Sequence, residues 1–198
     1  MAQQHYVFDL GNVLFAFDYH RAWRKVAAGS SLCEEELARR AGINDHLHAY
    51  ERGHVATESF FEWMSEHLAF RDGARALQSI WTEIFEPLHE RLHVMRELAL
   101  HYPVHALSNT NDAHITYLET SYPEVFERFT HRIYSHRVGA MKPQAEIYEA
   151  LETAAACSPG QLFFFDDRPD NIEAALARGW QGRCIQPDEF LDHCLYAK

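Results

Sequence analysis

Short apolar runs, each closed by a polar residue, recur along the chain: Tyr6-Val7-Phe8 before Asp9, Val104-His105-Ala106-Leu107 before Ser108, Arg132-Ile133-Tyr134 before Ser135, and Leu162-Phe163-Phe164-Phe165 before Asp166. Runs of this length with polar ends read as strands buried on both faces. Between them lie helical patterns at Arg91 to Leu100, Glu146 to Ala156 and Asn171 to Arg178. That alternation predicts an α/β protein with a parallel sheet covered on both sides.

The stretch from Phe15 to Glu86 breaks the alternation, because it carries helical spacing and no convincing strand. Phe60, Phe61, Met64 and Leu68 repeat at helical intervals, with Thr57 expected as the N-cap. The expected division is a core of residues 1–15 and 87–198 and a helical cap of residues 16–86. In α/β proteins the site lies beyond the C-terminal ends of the strands, where such an insertion can act as a lid.

Composition narrows the partners. The chain has 18 basic and 29 acidic residues, a net charge of −11, and no Lys/Arg cluster beyond pairs such as Arg39-Arg40. Such a surface repels a phosphodiester polymer, so no nucleic-acid partner is expected. No apolar run approaches a membrane span, and Met1-Ala2-Gln3-Gln4 leads straight into a strand without a leader-like segment, so a cytoplasmic protein with no membrane partner is expected. Cys33, Cys157, Cys184 and Cys194 are scattered, which reads as reduced thiols. The 14 histidines fall at irregular spacings and form no metal-ligand motif. Oligomeric state is left open.

Four positions are expected at strand ends, facing one crevice: Asp9, Ser108, Lys142 and the pair Asp166-Asp167. A carboxylate nucleophile, a hydroxyl, an ammonium and further carboxylates are the parts of phosphoryl transfer through an aspartyl-phosphate. Carboxylates at Asp9, Asp166 and Asp167 would repel one another unless a hard divalent ion sat among them, and Mg²⁺ suits an oxygen-rich set. Ser108 and backbone N–H groups near Asn12 and Asn109 are expected to bind the phosphoryl oxygens. Each residue alone would be an ordinary turn or cap residue; their order along the predicted sheet makes a site.

These motifs resemble the haloacid dehalogenase superfamily, from Asp9 through Ser108 and Lys142 to Asp166-Asp167. Within it, Phe8 to Val13, Leu107-Ser108-Asn109-Thr110-Asn111, Phe164-Phe165-Asp166-Asp167 with Asp170-Asn171, and Glu51-Arg52-Gly53 resemble the bacterial α-D-glucose-1-phosphate phosphatase group. The resemblance implies a Rossmann-like three-layer core with a small helical cap inserted after the first strand. It also implies a Mg²⁺-dependent phosphoric monoester hydrolase acting on a small phosphate ester such as a hexose 1-phosphate. Asp9 would be the nucleophile, and Ser108 and Lys142 would hold the phosphoryl group. Asp9, the Gly11 carbonyl, Asp166 and Asp167 would bind metal, with Asp167 preferred over Asp166 for direct contact and Asn171 supporting from behind.

The chain departs from that pattern at Gly11, where most phosphatases of the superfamily carry an acid/base aspartate. Losing such a group costs about 10²–10⁴-fold, so a slow enzyme or one that selects good leaving groups is expected. Asp18 and His20 follow shortly after and are read as turn and cap residues. Two rival readings stand beside the phosphatase: a dehalogenase, which also uses an aspartate nucleophile but needs no metal, and a phosphate-binding module without useful turnover.

Overall fold

In the computed structural model, which describes residues 3–42, 44–186 and 189, seven strands are interspersed with helices along the described residues. Strand β1 is His5–Phe8, β2 Phe15–Phe17, β3 Phe85–Pro87, β4 Val104–Ser108, β5 His131–Tyr134, β6 Leu162–Asp166 and β7 Gln181–Cys184. Five of them form a parallel sheet in the order β5-β4-β1-β6-β7. The central strand β1 pairs Phe8 with Ala106 on one side and with Phe165 on the other, which brings Asp9 beside the ends of β4 and β6.

Successive side chains of a strand point to opposite faces, and the core follows that rule. Phe8, Ala106 and Phe165 pack against helices His89–Leu98 and Asp112–Ser121 on one face. Val7, Leu107 and Phe164 pack against helices Ala145–Ala155 and Pro169–Ala177 on the other. The result is the three-layer, Rossmann-like arrangement expected.

Between β2 and β3 lie five helices, Tyr19–Gly29, Glu34–Ala41, Asp45–Glu51, Thr57–His67 and Gly73–Thr82. They close over a hydrophobic cluster of their own, in which Phe60, Phe61, Met64 and Leu68 are buried. Thr57 is the first helical residue rather than the cap; Ala56 holds the cap position, and the Thr57 hydroxyl donates to Asp112 at 3.1 Å. Asp18 caps Tyr19–Gly29 by accepting the His20 N–H at 2.8 Å.

Three strands were not expected. β2 and β3 pair antiparallel at the two ends of the helical insertion, Phe15 opposite Pro87 and Phe17 opposite Phe85. Three residues are too few to show an alternation. β7 is a partly exposed edge strand with the sequence Gln-Gly-Arg-Cys, which carries no apolar run. Cys33, Cys157 and Cys184 are free thiols; Met1, Ala2 and Cys194 lie outside the described residues. Among the described residues no helix is long and apolar enough to cross a membrane.

Candidate active site

Beyond the C-terminal ends of β1, β4 and β6 the insertion and the sheet enclose a cavity of about 580 Å³, lined by Asp9, Ser108, Lys142 and Asp167 from the core side. Carboxylate oxygens of Asp9, Asp166 and Asp167 lie within 4.8 Å of one another. Lys142 reaches this cluster from a loop, where the sequence pattern predicts a strand end. It sits between helices Ser135–Val138 and Ala145–Ala155, because its side chain is long enough to cross to β1 and β6.

The Lys142 ammonium is buried, with its three hydrogen bonds placed. Nζ lies 3.1 Å from Asp9 Oδ1 and 2.6 Å from Asp166 Oδ2, and donates to the Leu107 carbonyl at 3.0 Å. Burial alone would lower its pKa, but Asp166 and Asp9 outweigh burial and raise it. Its backbone is clasped by the Asn109 side chain, which accepts the Lys142 N–H at 2.7 Å and donates to the Lys142 carbonyl at 2.9 Å. Asn109 thus fixes the lysine loop through its side chain.

Asp166 is consumed by structure. Oδ1 accepts the Arg168 N–H at 2.8 Å and the Asn171 amide at 2.9 Å, while Oδ2 takes Lys142 and lies 3.1 Å from the same amide. The Asn171 Oδ1 is buried without a partner among the described residues. Asp167 is less committed: its Oδ2 accepts the Asn12 amide at 3.0 Å.

Asn12 holds this position in a turn that the backbone defines. It is left-handed, with φ of 54°, a conformation that asparagine tolerates better than most residues. Its N–H donates to the Phe15 carbonyl at 2.7 Å, so among the N–H groups near Asn12 its own is engaged within the turn. Its carbonyl accepts from the buried Arg91 at 2.6 Å. Nothing in the sequence distinguished Arg91 from an ordinary helix-start arginine.

Burial pushes the Asp9 carboxyl up to about 6. Lys142 and the Ser108 hydroxyl pull it down, while Asp166 and Asp167 push it up. The Leu10 N–H donates to its Oδ1 at 2.7 Å, which fixes the carboxylate orientation. A buried, oriented carboxylate whose charge is unwelcome is primed for attack on an electrophile or for a cation.

Gly11 is a second special position. A Cβ built there would lie 3.0 Å from the Phe17 ring, so the ring partly fills the space a larger side chain would use. Across the cavity the insertion contributes Tyr19, Trp23, His48, Glu51 and Trp81. Asp18 and His20 do not line it.

A family model described as haloacid dehalogenase-like hydrolase matches residues 4–179. Among solved structures, a HAD family enzyme from Bacteroides thetaiotaomicron in complex with magnesium and inorganic phosphate is 22% identical, with a TM-score of 0.87 over 98% of this chain and 99% of that one. A predicted HAD-like family hydrolase from Porphyromonas gingivalis is 23% identical, with a TM-score of 0.77 over 96% and 94% of the two chains. An L-2-haloacid dehalogenase from Xanthobacter autotrophicus with chloropropionic acid covalently bound is 15% identical, with a TM-score of 0.66 over 91% and 76%.

Proposed function

Because the chain belongs to the haloacid dehalogenase-like hydrolases, we propose that it is a Mg²⁺-dependent phosphatase that cleaves small phosphate monoesters through a phosphoryl group carried on Asp9. The observation that carries this reading is the cluster of Asp9, Asp166 and Asp167 with the buried ammonium of Lys142. Two unit charges within 4.8 Å repel by roughly 3 kcal/mol or more at an effective dielectric of about 20. Lys142 compensates Asp166 and part of Asp9, which leaves Asp167 and the remainder of Asp9 for a cation.

The donor chemistry fits Mg²⁺. Asp9, Asp167 and the Gly11 carbonyl would hold it, since the Asp166 oxygens already serve Lys142, Asn171 and Arg168. When bound, the ion neutralises charge between the carboxylates and the phosphoryl oxygens. In this reading Asp9 Oδ attacks phosphorus as the bond from phosphorus to the substrate oxygen breaks; the acyl phosphate forms, and the departing oxygen takes its proton from solvent water. Ser108 and the Asn109 N–H bind the phosphoryl oxygens, Lys142 keeps Asp9 ionised and aimed, and water then attacks phosphorus, breaking the Asp9 Oδ–P bond, giving its proton to solvent and releasing phosphate with the Asp9 carboxylate restored. Domain roles follow the same division: residues 1–15 and 87–198 do the chemistry, and residues 16–86 close over it.

With Gly11 in place of a carboxyl group, the leaving oxygen receives no proton from that position. Substrates with more acidic leaving oxygens are therefore favoured, and a hexose 1-phosphate is the class we assign. The similarity to a structure holding magnesium and inorganic phosphate supports the phosphatase; the dehalogenase similarity makes halide release the necessary control. Phosphate release is measured over sugar phosphates, nucleotides and acyl phosphates with and without Mg²⁺. Release that needs Mg²⁺ and disappears in Asp9→Asn is expected. Activity that survives Asp9→Asn, or halide release from 2-haloacids in the presence of chelator, overturns the proposal.

A further inference from the structure

The Glu51 carboxylate is a lone charge in the cap half of the cavity. It ends helix Asp45–Glu51, lines the same cavity as Asp9, Ser108 and Lys142, and has no hydrogen bond or ion pair to any described residue. Burial pushes it up to about 7, offset in part by the adjacent Arg52. Tyr19, Trp23 and Trp81 pack against one another beside it, with ring centroids 5.1–6.0 Å apart, and all three line the cavity. The Glu51 charge, after burial, raises the Tyr19 hydroxyl. Glu51 is half-buried, so its carboxylate stands at the cavity wall free to meet a ligand rather than sealed in the protein.

The corner that carries Glu51 is seated on the core at both ends. On one side, the Tyr50 hydroxyl accepts the Ala113 N–H at 3.1 Å and lies 3.1 Å from the Thr57 hydroxyl, which in turn donates to Asp112. On the other, Gly53 has φ of +72° and packs so closely on the His136 backbone that a Cβ would strike its carbonyl oxygen. Asp112 and Ala113 open the helix that follows Ser108, and His136 follows β5. Residues 50 and 53 thus fix Glu51 relative to the phosphoryl end of the cavity, not merely to the cap.

We propose that Glu51 is the specificity-determining residue of this site, binding hydroxyl groups on the alcohol part of a sugar-like phosphate ester while the Tyr19, Trp23 and Trp81 rings cover its apolar face. The inference rests on the phosphatase reading and names the substrate feature it selects. A carboxyl group that is partly protonated near neutrality both donates and accepts, as a hydroxyl does, whereas an ammonium only donates. Two carboxyl oxygens also match a pair of neighbouring hydroxyls. Flat apolar walls with a few placed polar groups are the usual construction of a small-molecule site.

The test separates binding from turnover. Binding of a hexose 1-phosphate, its deoxy analogues and inorganic phosphate is measured by calorimetry in the Asp9→Asn protein with Mg²⁺, with Glu51 intact and as Glu51→Ala and Glu51→Gln. Glu51→Ala is expected to weaken the hexose phosphate about 10- to 100-fold, to leave inorganic phosphate within about twofold, and to abolish the preference over one deoxy analogue. Glu51→Gln, which keeps the shape, is expected to fall between. Equal weakening of hexose phosphate and inorganic phosphate, no effect on either, or no hexose phosphate binding at all overturns the assignment. Phosphate release by the unmodified protein is assayed separately. Its absence, with Glu51-dependent hexose phosphate binding intact, refutes the phosphatase reading and leaves Glu51 as the sugar contact.

Discussion

Replacing the nucleophile should make the metal-free protein more stable. Asp9 is 8% exposed, and burial is the largest influence on its carboxyl group, which titrates at about 6 rather than 3.8. Its folded pKa is raised, so its ionisation costs stability above that pKa, and the cost is relieved as pH falls through 6 toward the unfolded value. At about 1.36 kcal/mol per pH unit, a displacement of roughly two units corresponds to about 3 kcal/mol at pH 8 and to about half of that near pH 5. Asp9→Asn keeps the shape and removes the charge. Urea unfolding in chelator should therefore give a midpoint higher than that of the unmodified protein at pH 8, by the equivalent of about 2–3 kcal/mol, with the gap narrowing at pH 5. Saturating Mg²⁺ should stabilise the unmodified protein and narrow the gap at pH 8, because a cation supplies the compensation that Lys142 alone does not complete. A variant less stable by 1 kcal/mol or more at pH 8 in chelator would refute the reasoning, because the Lys142 pair would then outweigh the burial of Asp9.

Asn12→Ala removes the amide that holds Asp167 and places a less tolerant residue at φ of 54°; half-maximal Mg²⁺ for activity should rise about 10- to 100-fold, read from metal titrations of phosphate release. Gly53→Ala should cost about 1–2 kcal/mol from the left-handed backbone alone, and more from contact with the His136 carbonyl; urea melts should show that loss, and KM for a sugar phosphate should rise because the Glu51 corner is displaced. His114 is buried with its pKa pushed down to about 4, by burial first and against the hydrogen bond that its Nε2–H donates to the Trp81 carbonyl. Its folded pKa lies below the unfolded value, so the unfolded chain takes up the proton first, and stability that is complete above about pH 7 is lost as pH falls through 6.5 toward 4. The His114 share between pH 7.5 and 5 is about 2 kcal/mol, and a His114→Gln protein should show a correspondingly flatter stability profile over that range.

How much of this was legible in the sequence depended on burial. The strands that hold Asp9, Ser108 and Asp166 announced themselves because parallel strands covered on both faces are nearly continuous apolar runs. β7 did not, because an edge strand with exposed polar residues has no such run. β2 and β3 are three residues each and are defined by their pairing at the ends of the insertion, a contact between residues some 70 positions apart. The same holds within the site. The four motifs were readable as a set of chemical types in order, but the work done by Asn109, Asn12 and Arg91 lies in side-chain bonds to distant backbone atoms, which no local spacing encodes. Lys142 was placed at a strand end because its partners were; its long side chain removes the need for that. Gly11 was visible as a departure, whereas the Phe17 ring beside it required the fold.

Everything proposed for this site depends on transfer of the phosphoryl group to the Asp9 carboxylate. Its most direct measurement is a quench of the enzyme during turnover of a sugar phosphate with Mg²⁺, borohydride reduction of any acyl phosphate, and mass spectrometry of the peptide containing residue 9. Homoserine is expected in place of Asp9, formed only with substrate and metal together, and ¹⁸O from labelled water should appear in the released phosphate. Turnover that leaves Asp9 unmodified under these conditions, or ¹⁸O from the water entering the Asp9 carboxylate instead of phosphate, would contradict it.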